Sequence, residues 1–109
     1  MTVINSKRKL QTVLSTFEVN PVHCQDLVDH ITELYTGVLK DQPGFISSSV
    51  HVNDARTRVA NYTQWESRGA FQDMLRREDI RPQIKRTAEL AEKFEPVMYD
   101  VVFVSDEET

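Results

Sequence analysis

The spacing of apolar residues along the chain changes period repeatedly, and each change marks an element. The stretch QTVLSTFEV (11–19) is rich in β-branched residues. Val13, Ser15, Phe17 and Val19 fall on one face of an extended strand. Asn20 and Pro21 break it. The period then lengthens. Leu27, Ile31, Leu34, Tyr35 and Val38 recur at helical spacing and predict an amphipathic helix over about 23–40. The Pro-Gly turn of DQPGF (41–45) stops it. Alternation resumes in ISSSVHV (46–52) and again over 58–66, with NDART (53–57) as the turn of a hairpin. Ser67 is placed to cap a second helix, whose apolar face carries Ala70, Phe71, Met74 and Leu75. Pro82 suits the first position of a third helix striped by Ile84, Ala88, Leu90 and Ala91. The last segment, EPVMYDVVFV (95–104), reads as a strand apolar on both sides. Met98, Val102 and Val104 point one way; Tyr99, Val101 and Phe103 point the other.

The resulting order, β-α-β-β-α-β, is the split βαβ or ferredoxin-like arrangement. It is an α+β fold in which an antiparallel sheet carries its helices on one face. A strand that is apolar on both sides implies cover for the second face as well. A second copy of the chain supplies that cover, so the expectation is a homodimer joined through the sheet face away from the helices. Residues 11–104 form a single domain in this reading. Residues 1–10, with the basic cluster SKRK, form a flexible arm, and residues 105–109, SDEET, an acidic tail.

Composition narrows the function classes. A chain of 109 residues, 39% hydrophobic and 28% charged, makes one globular domain. A net charge of −4 argues against a nucleic-acid partner. No apolar run approaches the ~20 residues that span a bilayer. The N-terminus lacks the apolar core of a secretory signal, so a cytoplasmic location is expected and no membrane partner. Cys24 is the only cysteine, and no Cys/His set has zinc spacing.

The candidate chemistry lies in VANYTQWES (59–67). Side chains in a strand alternate faces, so Val59, Asn61, Thr63 and Trp65 share one side and Arg58, Ala60, Tyr62 and Gln64 the other. An amide buried between sheet and helices costs roughly 1–3 kcal/mol unless paired. A bound ligand is one way to pair it; a structural partner is the other. Ser15 on the first strand and His51 on the second are in range of the same space, although spacing alone leaves the hairpin register open. Phe71 and Met74 supply apolar walls from the second helix. The bland readings are a satisfied structural amide for Asn61, core for Trp65 and a strand-surface residue for His51. His23, His30, Lys85, Arg86 and the Arg76–Arg77 pair read as surface groups, and Cys24 as an ordinary helix residue.

The stretches SSSVHV, VANYTQWESRGAFQDML and FEPVMYDVVFV resemble the antibiotic-biosynthesis monooxygenase family, over about 11–104. The likeness is strongest to the small cofactor-independent oxygenases of aromatic polyketide pathways. It implies a ferredoxin-like dimer that oxidises a polycyclic phenol or anthrone to a quinone. Molecular oxygen is the co-substrate, and neither flavin nor metal is needed. It also implies catalytic roles for Asn61, Trp65 and His51: Asn61 as donor to the substrate oxygen, Trp65 as ring platform and N–H donor, His51 as base or donor. Ser15, Phe71 and Met74 would bind substrate. Two positions depart from the family pattern. Ser15 stands where members often carry Asn, and Phe71 where some carry Tyr. These departures leave room for a cyclase or isomerase on the same fold, or a non-catalytic dimer that binds an aromatic ligand. A haem-degrading branch of the superfamily needs an iron-ligating histidine at the position held here by Leu75, and it is set aside.

Overall fold

The computed structural model describes residues 10–105. Most of the expected arm (1–10) and of the acidic tail (105–109) lies outside the described residues. Four strands form one sheet: β1 (Gln11–Glu18), β2 (Phe45–Val52), β3 (Arg58–Trp65) and β4 (Lys93–Tyr99). Their spatial order is β2-β3-β1-β4, and every neighbouring pair is antiparallel. Three helices connect them: α1 (Pro21–Glu33), α2 (Arg68–Leu75) and α3 (Arg81–Leu90). This is the expected ferredoxin-like fold.

The caps follow from the sequence. The Asn20 side chain accepts from the Val22 amide at 3.0 Å, and Pro21 occupies the first turn of α1, where no amide hydrogen is needed. The Ser67 hydroxyl accepts from the Ala70 amide at 3.1 Å and starts α2. In the β2–β3 turn, Asn53 Oδ1 accepts from the amides of Thr57 and Arg58, both at 2.9 Å, while Arg56 takes φ +58. Gly44 takes φ +83, and a Cβ there would overlap the Cβ of Ala70. That position ties the start of β2 to α2.

The expected long helix over 23–40 is three pieces. After α1 the chain widens into a π-helical turn, Leu34–Val38, and then tightens into a 3-10 turn, Leu39–Asp41. Thr36 Oγ1 donates back to the Thr32 carbonyl at 2.7 Å within this stretch. In α3 the buried residue is Thr87, with Ile84 and Leu90 half-buried, and Ala88 faces solvent instead. Thr87 passes as an apolar position because its hydroxyl donates to the Gln83 carbonyl at 2.9 Å.

β4 differs most from expectation. It ends at Tyr99, and residues 100–104 form no strand. The ladder stops because β1, its one neighbour, is paired out: Tyr99 lies opposite Thr12, next to the first residue of β1. Val102 and Phe103 are left 89% and 77% exposed in the single chain. β4 is an edge strand, and Pro96 within it lacks the amide that would offer a further strand a bond.

The register fixes what faces the helices. Val50, Asn61, Ser15 and Pro96 form one row across the sheet; Val52, Val59, Phe17 and Phe94 form the next. On β2 one extra residue, Ile46, bulges between Phe45 and Ser47. Phe45 and Val50 therefore face the helices together, whereas unbroken alternation would oppose them.

Candidate active site

Two clusters fill the space between sheet and helices. One is tightly packed: Phe17, Val59, Cys24, Leu27 and Ile31 are each at most 3% exposed. The Phe17 and Phe94 rings stack at 4.8 Å beside it. The other cluster, around Val13, Leu34, Leu39, Phe71, Met74 and Ile80, encloses a cavity of about 310 Å³. Its floor is β1 and β4, from Val13, Ser15, Pro96 and Met98. Its walls come from α2, from α3 and from the π and 3-10 turns after α1. That volume lies at the small end of ordinary ligand sites, and the lining is mostly apolar. A recess of about 40 Å³ shares Ser15, Leu34, Tyr35, Ile84 and Phe94 with the cavity and ends at Asn61 and Thr87.

The sequence-derived residues separate on this geometry. Ser15, Phe71 and Met74 line the cavity as expected. Asn61 lies at the end of the recess, 3% exposed, directly across the ladder from Ser15. Its amide is already paired on one side, since Ser48 Oγ donates to Asn61 Oδ1 at 2.7 Å. Trp65 is on the helix-facing side, as the period-two phase requires, but it lines neither space. It is fully buried, edge-on to Phe45 at 5.3 Å and to Phe71 at 5.5 Å. Its Nε1 donates to Thr63 Oγ1 at 3.0 Å, and Thr63 Oγ1 donates to the Val13 carbonyl at 3.2 Å. The indole fills the space over β3, so the cavity opens over β1 and β4 instead.

His51 corrects the expected placement. It pairs with Ala60 and faces away from the helices, on the opposite side of the sheet from Asn61. Its Nε2 lies 2.9 Å from Ser49 Oγ, and it borders an open depression with Thr16, Glu18, Arg58, Lys93 and Glu95. The hairpin register is the physical reason, because the turn tied by Asn53 pairs Val52 with Val59 and so sets His51 opposite Ala60 and not Asn61. Ion pairs from Glu18 to Arg58 (3.1 Å) and to Lys93 (3.6 Å) mark that face as charged.

Tyr35 was read in the sequence as one member of an apolar stripe, and the structure gives it a second character. It sits in the π-helical turn, half-buried, and borders both the cavity and the recess. Burial pushes its phenol up to about 12, and hydrogen bonding from the Asn61 side chain partly offsets the rise. The phenol is therefore neutral and a donor at any ordinary pH. The available signal was chemical: a tyrosine in a buried stripe needs a partner for its hydroxyl. Arg77 closes the far side of α2. Its guanidinium donates to Gln42 Oε1 at 2.6 Å and pairs with Asp79, whose carboxyl it holds below the usual carboxylate range. Among the described residues no three His, Cys, Asp or Glu side chains gather as a metal site would require. Among the same residues no helix is long and apolar enough to cross a membrane.

Comparison with known proteins places this geometry. Residues 11–95 match the family described as antibiotic biosynthesis monooxygenase. The tetracenomycin-F1 monooxygenase of Streptomyces glaucescens is 31% identical over 74 residues, which is 68% of this chain and 66% of that protein, just under two thirds of its length. The crystal structure of a monooxygenase from the gene ActVA-Orf6 of Streptomyces coelicolor, in complex with the ligand nanaomycin D, superposes with a TM-score of 0.69 at 25% identity. It is matched over 86% of this chain and 88% of that one. SnoaB, a cofactor-independent oxygenase from Streptomyces nogalater, shares the fold with a TM-score of 0.73 at 17% identity, over 90% of this chain and 98% of that one.

Proposed function

Because the chain belongs to the antibiotic biosynthesis monooxygenase family, we propose that it oxidises a polycyclic aromatic polyketide, an anthrone or phenol, to the quinone with molecular oxygen and no bound cofactor. The observation that carries this reading is the cavity itself. A mostly apolar space beside α2 ends in three polar side chains, Ser15, Tyr35 and Asn61. A flat ring system suits the walls, and an oxygen on its rim suits the polar end. The relatives whose names refer to tetracenomycin F1, to nanaomycin D and to a cofactor-independent oxygenase support the substrate class and the chemistry.

The reaction needs little from the protein. An anthrone loses a ring-CH₂ proton to give an electron-rich enolate. The enolate passes an electron to O₂, and the radical pair combines as a peroxide. Loss of water leaves the new carbonyl. One oxygen atom of O₂ stays in the quinone and the other departs as water, so the substrate is the sole reductant. The protein lowers the barrier by holding donors where the enolate charge develops, in a site that excludes bulk water. Ser15 and Phe71, which stand where the family resemblance implies Asn in many members and Tyr in some, reduce the donors at the floor and at α2. Tyr35 supplies a phenol from another wall.

A homodimer belongs to the same proposal. The open sheet face, with Tyr99, Val102 and Phe103 exposed beside it, is what a second copy would cover. Sedimentation should give twice the chain mass at micromolar concentration, and a stable monomer would refute it. A non-catalytic aromatic-binding dimer is the second reading. It is favoured by the placement of His51, which leaves no imidazole among the residues lining the cavity. Anaerobic mixing with dithranol, a three-ring anthrone, followed by admission of O₂ separates the two. Quinone absorbance that grows catalytically without added flavin, haem or metal supports the oxygenase. Stoichiometric binding without quinone supports the binder.

A further inference from the structure

We infer that Tyr35 is the hydrogen-bond donor that meets the ligand oxygen in the large cavity, and that Ser48 and Asn61 act behind it as a chain that orients its hydroxyl. The inference deepens the function proposed above and rests on its assignment of this cavity as the ligand site.

Size decides which group reaches a ring-borne oxygen. Asn61 opens only into the 40 Å³ recess, which holds about one water-sized group and no aromatic ring. Tyr35 lines both recess and cavity, as well as the open depression beside Ser48, so of Asn61 and Tyr35 it is the tyrosine that reaches the space a ring system fills. The donors then align in one direction. Ser48 Oγ–H donates to Asn61 Oδ1 at 2.7 Å, which occupies the acceptor end of the amide and turns Nδ2 away from Ser48. That leaves Nδ2 as the amide's donor end, in the recess that Tyr35 also lines, and an N–H given to the phenol oxygen there agrees with the direction in which Asn61 moves the Tyr35 pKa. With that oxygen accepting from Asn61, the Tyr35 O–H is the proton left to point outward.

The chain carries chemical selectivity. A row of donors that ends in O–H rewards a ligand with an acceptor there, a ketone or enolate oxygen, and gives nothing to a ligand without one. The π-helical turn has a purpose in this arrangement. It widens the backbone at Leu34–Val38, where Tyr35 must leave the apolar stripe of α1 and stand over the recess.

The test uses anaerobic binding, so it does not depend on turnover. Dithranol is titrated against the parent and against Tyr35→Phe, Ser48→Ala and Ser48→Thr. Dihydroanthracene, with the same three rings and no oxygen, is titrated in parallel. Tyr35→Phe should weaken dithranol about tenfold, the scale of one lost hydrogen bond, and leave dihydroanthracene unchanged. Ser48→Ala should weaken dithranol in the same direction by a smaller factor, and Ser48→Thr, which keeps the hydroxyl, should restore it. Parent-like dithranol binding by Tyr35→Phe overturns the inference and leaves the oxygenase proposal standing. Equal loss of both ligands also overturns it, since that reports a shape change. If the parent binds both ligands equally well, the cavity has no oxygen-reading end and the inference fails, whatever the enzyme does with O₂.

Discussion

The two halves of the sheet–helix layer are built from the same residue types and end in opposite states. Under α1, Phe17, Val59, Leu27 and Ile31 close on one another. Under α2, α3 and the turns after α1, comparable side chains leave about 310 Å³ open. Helix length accounts for part of the difference. α1 has 13 residues, whereas α2 and α3 have 8 and 10 and meet at a turn, so they roof β1 and β4 incompletely. Ser15, Tyr35 and Asn61 gather around the open cavity and the recess that leads from it towards Phe17 and Ile31. A buried polar group needs a partner, and the open half has room for one to arrive from outside.

Mutations on the two sides should separate stability from chemistry. Leu27→Ala, in the closed half, should cost about 3–4 kcal/mol in denaturant melts while turnover per folded molecule stays at the parent value. Loss of turnover without loss of stability would show that the halves are not independent. In the open half, loss of the Tyr35 donor should cut the oxidation rate on the order of 10²–10³, and Asn61→Ala, which acts behind it, by a smaller factor with the fold retained, measured as quinone formation in single turnover. A parent rate would make Asn61 a structural amide. Trp65→Phe lies in the cluster around the cavity, behind its lining. It keeps ring packing and loses the bond to Thr63, so it should cost about 1 kcal/mol of stability and change ligand binding little.

The Tyr35 phenol provides a pH readout. Its folded value of about 12 stands above the ordinary 10, so the folded protein holds this proton over a range where the unfolded chain has lost it. Its stabilising contribution should be complete below pH 10 and decline as pH rises from 10 towards 12. Ultraviolet titration of the parent against Tyr35→Phe should show one late-ionising tyrosine, and a difference signal at the ordinary value would contradict its burial. The smallest effect belongs to His51→Ala, which should change single-turnover rates by less than about twofold, because the imidazole lies across the sheet from the cavity. A large loss would point to a partner copy bringing this residue into use.

The sequence carried the fold well because its signals are local: alternation in 11–19 and 58–65, the caps at Asn20 and Ser67, the turn at Asn53. The polar-and-apolar phase of β3 placed Asn61 and Trp65 on the helix side correctly. Four features escaped it, each for a non-local reason, and the first is Trp65, which was expected in the pocket and instead fills the core against Phe45 and Phe71. β4 was read too long because strand length depends on how much of β1 remains to pair with it. Tyr35 was absorbed into a stripe because a π turn has no clear signature in one sequence. His51 was aimed at the wrong face because the hairpin register, which sets it opposite Ala60 and not Asn61, depends on turn geometry that spacing leaves open.

A strand is a two-state counter, and the extra residue at Ile46 flips its parity. Odd positions before it and even positions after it read out on the same side. The inside of β2 is thus decided by how many residues precede a side chain as much as by its kind. In a chain one residue shorter at Ile46, with the turn at Asn53 still holding residues 47–52 against β3, Phe45 would turn away from the helices while Val50 and Val52 kept their places. An aromatic ring ahead of the bulge therefore reaches the helices only where the count is odd by one, and Phe45 owes its contact with Trp65 to that single extra residue.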